Sequence, residues 1–129
     1  NLWDYSSANM LKLAKATGLR ATHVPLGDAA GAWGGDGDAE RDLGVVFVGL
    51  ENAYRRQTLD SVREKVPVYH GNADGTLFGE QLATVLRRAR VVLSLRYFET
   101  DDEWKMTRFL PAIARGAVVA GTGVVRNQY

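Results

Sequence analysis

The chain of 129 residues contains no cysteine and only three prolines, and its net charge is +1. The lack of cysteine excludes a disulfide framework and thiol chemistry, and it fits a reducing compartment such as the cytoplasm. A charge so close to neutrality gives no attraction toward nucleic acid or an anionic membrane. We therefore expect a cytoplasmic protein that does not bind nucleic acid.

Long hydrophobic runs are also missing. No run approaches the roughly 18 apolar residues of a membrane helix, so we expect no membrane span. The opening residues N-L-W-D have neither an initiator methionine nor the layout of a signal peptide, which predicts a chain cut from something longer, or processed. The length and the apolar fraction of 46% predict one compact globular domain.

The most informative stretch is 42–59. Its apolar run Val45–Val48 is ended by Gly49, as in a strand buried on both faces. A helix is predicted next, over 53–65, with Arg55 and Arg56 in its first turn. A helix start attracts anions through its free N–H groups and its dipole, and arginine adds forked donors for phosphate. The spacing equally allows a solvated helix face with incidental arginines.

The two arginines are not equivalent, because successive helix residues point about 100° apart. We expect Arg55, which is nearer the helix start, to face the phosphates. We expect Arg56 to lean toward solvent or toward a neighbouring acid.

The region before this stretch is predicted to have two parts. Residues 1–26 contain a helix at 8–17, capped by Ser6 or Ser7 and ended by Gly18, and a strand at 20–26; they are the end of a preceding domain or a crossover. Residues 27–41 are a linker or loop rich in glycine and aspartate. Its D-G-D sequence at 36–38 has the form of a metal site for nucleotide sugars, but flexible carboxylates hold cations poorly, so no metal is expected.

After residue 66, short apolar runs at 67–70, 91–95 and 117–120 alternate with helical patterns at 79–88 and 101–115. This alternation predicts an α/β fold over 42–129: a Rossmann-like parallel sheet with helices on both faces. Ligands bind such sheets at the carboxyl ends of the strands. The predicted site residues follow those ends or lie near them: Gly49, Arg55, Arg56, His70, Tyr97, Glu99, Arg108 and Thr122. Arginines, an aromatic ring and a carboxylate suit the phosphates, base and ribose of a nucleotide.

Several short motifs occur in a familiar order: V-V-F-V-G, then R-R-x-x-L, then R-A-R-V-V-L-S-L-R-Y-F-E, then R-x(7)-G-A-V-V. This order resembles the carboxyl-terminal half of GT-B glycosyltransferases, in particular the family-1-like or spore-protein CgeB-like branch. The opening W-D-Y-S-x-x-N with V-P-L-G resembles the segment that joins the two domains of that family.

The resemblance implies a donor-binding domain of a glycosyltransferase, or a catalytic-domain fragment of one. It would bind a nucleotide-diphosphate sugar and transfer the sugar without a metal or another cofactor. The acceptor would be held by a domain missing here or by a second chain. Arg108 would correspond to the arginine of the family's R-x-F-E or E-x-x-R element. The sequence departs there, because Pro111 and Lys105 stand where the family usually has glutamate. The alternative is a non-catalytic Rossmann-like module that binds a nucleotide or a partner.

Overall fold

The computed structural model describes residues 2–24, 40–71, 75–100 and 106–122. The chain forms two compact units, whereas its length predicted a single domain. The first contains the described residues 2–24, and the second contains those from 40 to 122.

The first unit is a small β–α–β arrangement. Strand β1 (Trp3–Asp4) is parallel to strand β2 (Thr22–His23), and helix α1 (Ser7–Thr17) connects them. Ser6 caps α1 by accepting a hydrogen bond from the Asn9 amide, and Gly18 ends it with a φ of 74°. The predicted cap and stop are both confirmed. The second strand is shorter than predicted, and residues 25 and 26 lie outside the described part of the chain.

The second unit alternates strands and helices, as predicted. Its elements are β3 (Leu43–Val48), α2 (Ala53–Arg63), β4 (Val68–Gly71), α3 (Gly79–Arg88), β5 (Ala89–Ser94), α4 (Met106–Ala114) and β6 (Val118–Gly121). The four strands form one parallel sheet in the order β4-β3-β5-β6. The fold is α/β and Rossmann-like.

Both faces of the sheet are covered, because successive residues of a strand point to opposite sides. On one face, Val46 and Val92 pack with buried residues of α3 and α4. On the other face, Phe47 and Leu93 pack with Leu59 of α2. Burial on both faces explains why the central strands are continuous apolar runs in the sequence. The polar groups concentrate at the two ends of the sheet.

Candidate functional site

The order of the strands defines one place where a ligand is expected. From β3 the chain moves to β4 on one side and then crosses to β5 on the other. The direction of winding therefore reverses between β3 and β5, and ligands of open parallel sheets bind at such switch points, outside the carboxyl ends of the strands. The candidate site is built from the loops after these two strands.

Arg55 occupies this switch point. Its side chain is only 1% exposed, and its guanidinium donates to three backbone carbonyls. The Nη1 atom binds Leu50 O at 2.7 Å, Nη2 binds Leu95 O at 2.9 Å and Nε binds Arg96 O at 3.1 Å. The structure thus corrects the expected orientation of Arg55, which turns inward to main-chain carbonyls instead of outward to phosphates. The reason is the phase of α2, on which Arg55 lies one turn before the buried Leu59.

Asn52 ties the same two loops together. Its Oδ1 atom accepts a hydrogen bond from the Arg55 amide at 2.9 Å and so caps α2, as asparagine often does. Its Nδ2 atom donates to the carbonyl of Tyr97 at 2.6 Å. One side chain therefore begins the helix after β3 and holds the loop after β5.

Arg96 lies at the surface of the edge, directly after β5. It donates from Nη2 to Tyr54 Oη at 2.9 Å and from Nη1 to Glu99 O at 3.1 Å, and its guanidinium lies 5.8 Å from the Tyr54 ring centre. Its backbone amide is 3.4 Å from Thr122 Oγ1, in the loop after β6. Arg96 thus contacts α2, the loop after β5 and the loop after β6.

Glu51 is the centre of a charged cluster in the loop after β3. It accepts hydrogen bonds from Arg56 at 2.8 Å and from Arg63 at 3.0 Å. The hydrogen bonds from these two guanidinium groups, chiefly the one from Arg56, hold the pKa of the Glu51 carboxyl below its usual range. Arg56 leans toward a neighbouring acid, as expected, and its side chain is 63% exposed.

His70 joins the cluster to the strand ends. It donates from Nε2 to the Gly49 carbonyl at 2.8 Å, so its Nδ1 faces Glu51 Oε2 at 3.6 Å. Its ring also lies 5.1 Å from that of Phe47. The predicted residues Gly49 and His70 are therefore in direct contact at the carboxyl ends of β3 and β4.

The predicted site residues fall into three groups. Gly49, Arg56 and His70 lie together around Glu51, while Tyr97, Thr122 and the Glu99 backbone surround Arg55 and Arg96. Arg108 belongs to α4, and its side chain is outside the part of the structure that is described.

Four residues of the edge were not among those predicted: Glu51, Asn52, Tyr54 and Arg96. An asparagine just before a predicted helix is a recognised cap signal and could have identified Asn52. Arg96 directly follows an apolar strand and could have been included on that ground. Glu51 lies in a loop, for which the sequence has no periodic signal, and Tyr54, in the first turn of α2, takes part through its contact with Arg96.

Two features are absent from the described part of the chain: a metal-binding cluster and a membrane-spanning helix. Within residues 2–24, 40–71, 75–100 and 106–122, no group of three or more histidine, aspartate or glutamate side chains could hold a metal ion. In the same ranges, every helix is too short or too polar to cross a bilayer. The D-G-D sequence at 36–38 lies outside these ranges.

Comparisons with known proteins identify no relative. No family model matches the chain, and no curated protein or solved structure is significantly similar to it.

Proposed function

We propose that the carboxyl edge of the four-stranded sheet binds the nucleoside diphosphate part of a nucleotide sugar. On this proposal the chain is the donor-binding domain of a GT-B-type glycosyltransferase. The observation that carries the proposal is the position of the switch point, because the loops that meet there also supply the arginines and aromatic rings that a nucleotide needs. The order of motifs that resembles GT-B enzymes supports the sugar.

The phosphate contacts have to come from arginines other than Arg55. Arg96 is half-buried beside Tyr54 at the switch point, and Arg56 extends into solvent next to Glu51. We assign the diphosphate to Arg96 first, because it lies at the switch point between the loops after β5 and β6.

The chemistry proposed for this edge is electrostatic. Negative charge collects on the leaving diphosphate in the transition state of glycosyl transfer, and a fixed guanidinium stabilises that charge without a divalent ion. The acceptor hydroxyl and its general base are assigned to another domain or a second chain.

The test is calorimetric titration with UDP and GDP, with mapping of the bound nucleotide by amide chemical shifts. We expect the shifts at Gly49, Glu51, Tyr97 and Thr122, and not at the opposite end of the sheet. Arg96→Ala should weaken diphosphate binding about tenfold, the loss of roughly 1.4 kcal/mol. Arg90→Ala is the matched control at the other end of β5, where Arg90 donates to the carbonyl of Arg41.

Two results would contradict the proposal: no binding of either nucleotide at millimolar concentration, or shifts that map away from the carboxyl edge. An equal loss in the Arg96 and Arg90 variants would contradict the phosphate assignment alone. Slow hydrolysis of a bound nucleotide sugar would then separate a transferase domain from a simple nucleotide binder.

A partner-binding module is a second candidate, favoured by the first unit. Trp3 and Leu11 are 69% and 73% exposed, and an apolar groove of about 450 Å³ is lined by residues of α1 and of segment 20–23. Exposed apolar surface of this kind marks interaction sites. Light scattering over a range of concentrations tests this candidate, and self-association that Leu11→Ser abolishes would support it.

A further inference from the structure

We propose that Arg55 is a positioning residue, which fastens the loop after β3 to the loop after β5 and so presets the ligand edge without touching the ligand. The inference rests on the proposed function for the identity of the ligand. It reverses the role that the sequence indicated for this arginine.

The hydrogen bonds of Arg55 span the crevice at the switch point. Its Nη1 binds Leu50, in the loop after β3, while Nη2 and Nε bind Leu95 and Arg96, directly after β5. A planar guanidinium has its donors in a fixed geometry, so the three acceptors can move only together. The carbonyls of two separate loops are thereby held in one arrangement.

Aromatic rings fix the guanidinium in turn. Its central carbon lies 4.8 Å from the ring centre of Tyr97 and 5.5 Å from that of Phe47. Because the side chain is 1% exposed, these contacts and the hydrogen bonds are strengthened by the low local dielectric. Tyr97, a predicted contact for the nucleotide, is therefore positioned through Arg55 as well as through Asn52.

This role has a consequence that differs from that of a phosphate contact. Removal of a group that touches phosphate weakens the binding of a diphosphate far more than that of the bare nucleoside. Removal of a group that only orders the loops weakens the binding of both by a similar factor, because each ligand then has to order the same loops. The ratio of the two losses identifies the role.

The experiment compares Arg55→Lys with Arg41→Lys. Arg41 is the matched control, because it also donates to two backbone carbonyls, those of Ala89 and Arg115, but at the amino edge. Titration with UDP, UMP and uridine should show about the same loss for all three in Arg55→Lys, near tenfold, and no loss in Arg41→Lys. In the free protein, hydrogen exchange at 50–52 and 95–97 should be at least about tenfold faster in Arg55→Lys only.

A measurement on the parent protein covers the case in which Arg55→Lys does not fold. The Nε–H resonance of Arg55 should exchange slowly with water and should not shift when UDP saturates the protein. The inference is overturned by a loss confined to UDP, by unchanged exchange in the variant, or by a direct shift of the Arg55 resonance with UDP. If the parent binds neither UDP nor GDP, the proposed function fails, and exchange in the free protein still decides whether Arg55 fastens the loops.

Discussion

The two edges of the sheet use the same kind of bond in different surroundings. At the carboxyl edge, Arg55 is buried between aromatic rings and joins two loops through backbone carbonyls. At the amino edge, Arg41 is half-buried and donates to Ala89 at 2.7 Å and to Arg115 at 2.5 Å. Beside it, the exposed Arg88 pairs with Asp42.

The main difference between the two arginines is the burial of the side chain. Water can take the place of the half-buried Arg41, whereas it has little access to the place of Arg55, which is 1% exposed. The amino edge therefore closes the sheet with replaceable contacts. At the carboxyl edge, the surrounding residues cannot easily replace the buried hydrogen bonds of Arg55. Such a fixed arrangement is expected of an edge that binds a ligand.

The largest effect is expected where the backbones of β5 and β6 approach at the carboxyl edge. A Cβ atom added at Gly121 would lie 2.1 Å from the carbonyl oxygen of Ser94, so the strand end has to move. Gly121→Ala should lower the free energy of unfolding by about 2 to 3 kcal/mol, measured by chemical denaturation.

Gly44, near the amino end of β3, is the control for that substitution. A Cβ atom added there has no neighbour within 4 Å, so Gly44→Ala should change stability by less than about 1 kcal/mol. Equal losses of unfolding free energy in Gly121→Ala and Gly44→Ala would contradict the expected difference in backbone packing.

The next effect concerns Asn52. Asn52→Ala removes both the helix cap and the hydrogen bond to Tyr97, and it should cost about 1 to 2 kcal/mol of unfolding free energy. Asn52→Asp keeps an acceptor for the cap and loses the donor, so its loss relative to the parent isolates the bond between the loops, and the difference between the two variants isolates the cap.

At the amino edge, Arg90→Ala removes an exposed hydrogen bond to the carbonyl of Arg41 and should cost less than about 0.5 kcal/mol. Thermal unfolding of Asn52→Ala, Asn52→Asp and Arg90→Ala checks this ranking. If Arg90→Ala lost as much unfolding free energy as Asn52→Ala, exposure would not explain a difference in stability between contacts at the two edges.

An effect of similarly small size is expected in acid. The folded protein holds the pKa of the Glu51 carboxyl below its usual range, mainly through the hydrogen bond from Arg56, and lowers the pKa of Asp42 likewise, mainly through the hydrogen bond from Arg88. A lowered pKa stabilises the fold above the unfolded value, and this contribution is lost as the pH falls through the folded value.

Denaturation between pH 7 and pH 3 should therefore show a shallower loss of stability in Glu51→Gln than in the parent, by under about 1 kcal/mol. Asp42→Asn should flatten the curve less and only at lower pH, because that pair is exposed. A steeper acid loss in Glu51→Gln would contradict the ion-pair assignment.

The smallest effect is expected from removing divalent metal. If arginine neutralises the diphosphate, EDTA should leave the affinity for UDP or GDP unchanged, as should the double change Asp36→Ala with Asp38→Ala. Calorimetry with and without EDTA checks this. A tenfold loss in either test would mean that a cation takes part at the carboxyl edge.

The sequence predicted the architecture better than the site. The apolar runs and the caps located the elements of the second unit, because buried strands and helix ends have local signals. The helix over 79–88 was predicted with the bounds that the structure shows, Gly79–Arg88.

The orientation of Arg55 was missed, although its position held a signal. Residues 55, 59 and 62 have the spacing of one helix face, and Leu59 and Val62 are apolar. An arginine in that row should have been read as buried. What the sequence could not give is the set of carbonyls that receives it, because two of them, those of Leu95 and Arg96, lie about forty residues later in the chain, directly after β5.

This separation along the chain has a consequence for folding. The bond from Arg55 to Leu95 spans 40 residues, and the central strand β3 reaches its second neighbour, β5, only after β4 and α3 have been passed. Closure of a long loop precedes such contacts, so α2 forms with its arginine still in water. We expect a low φ-value for Arg55→Lys and a higher one for Leu59→Ala, measured from folding and unfolding rates. On this expectation, the carboxyl edge is the last part of the sheet to acquire its native structure.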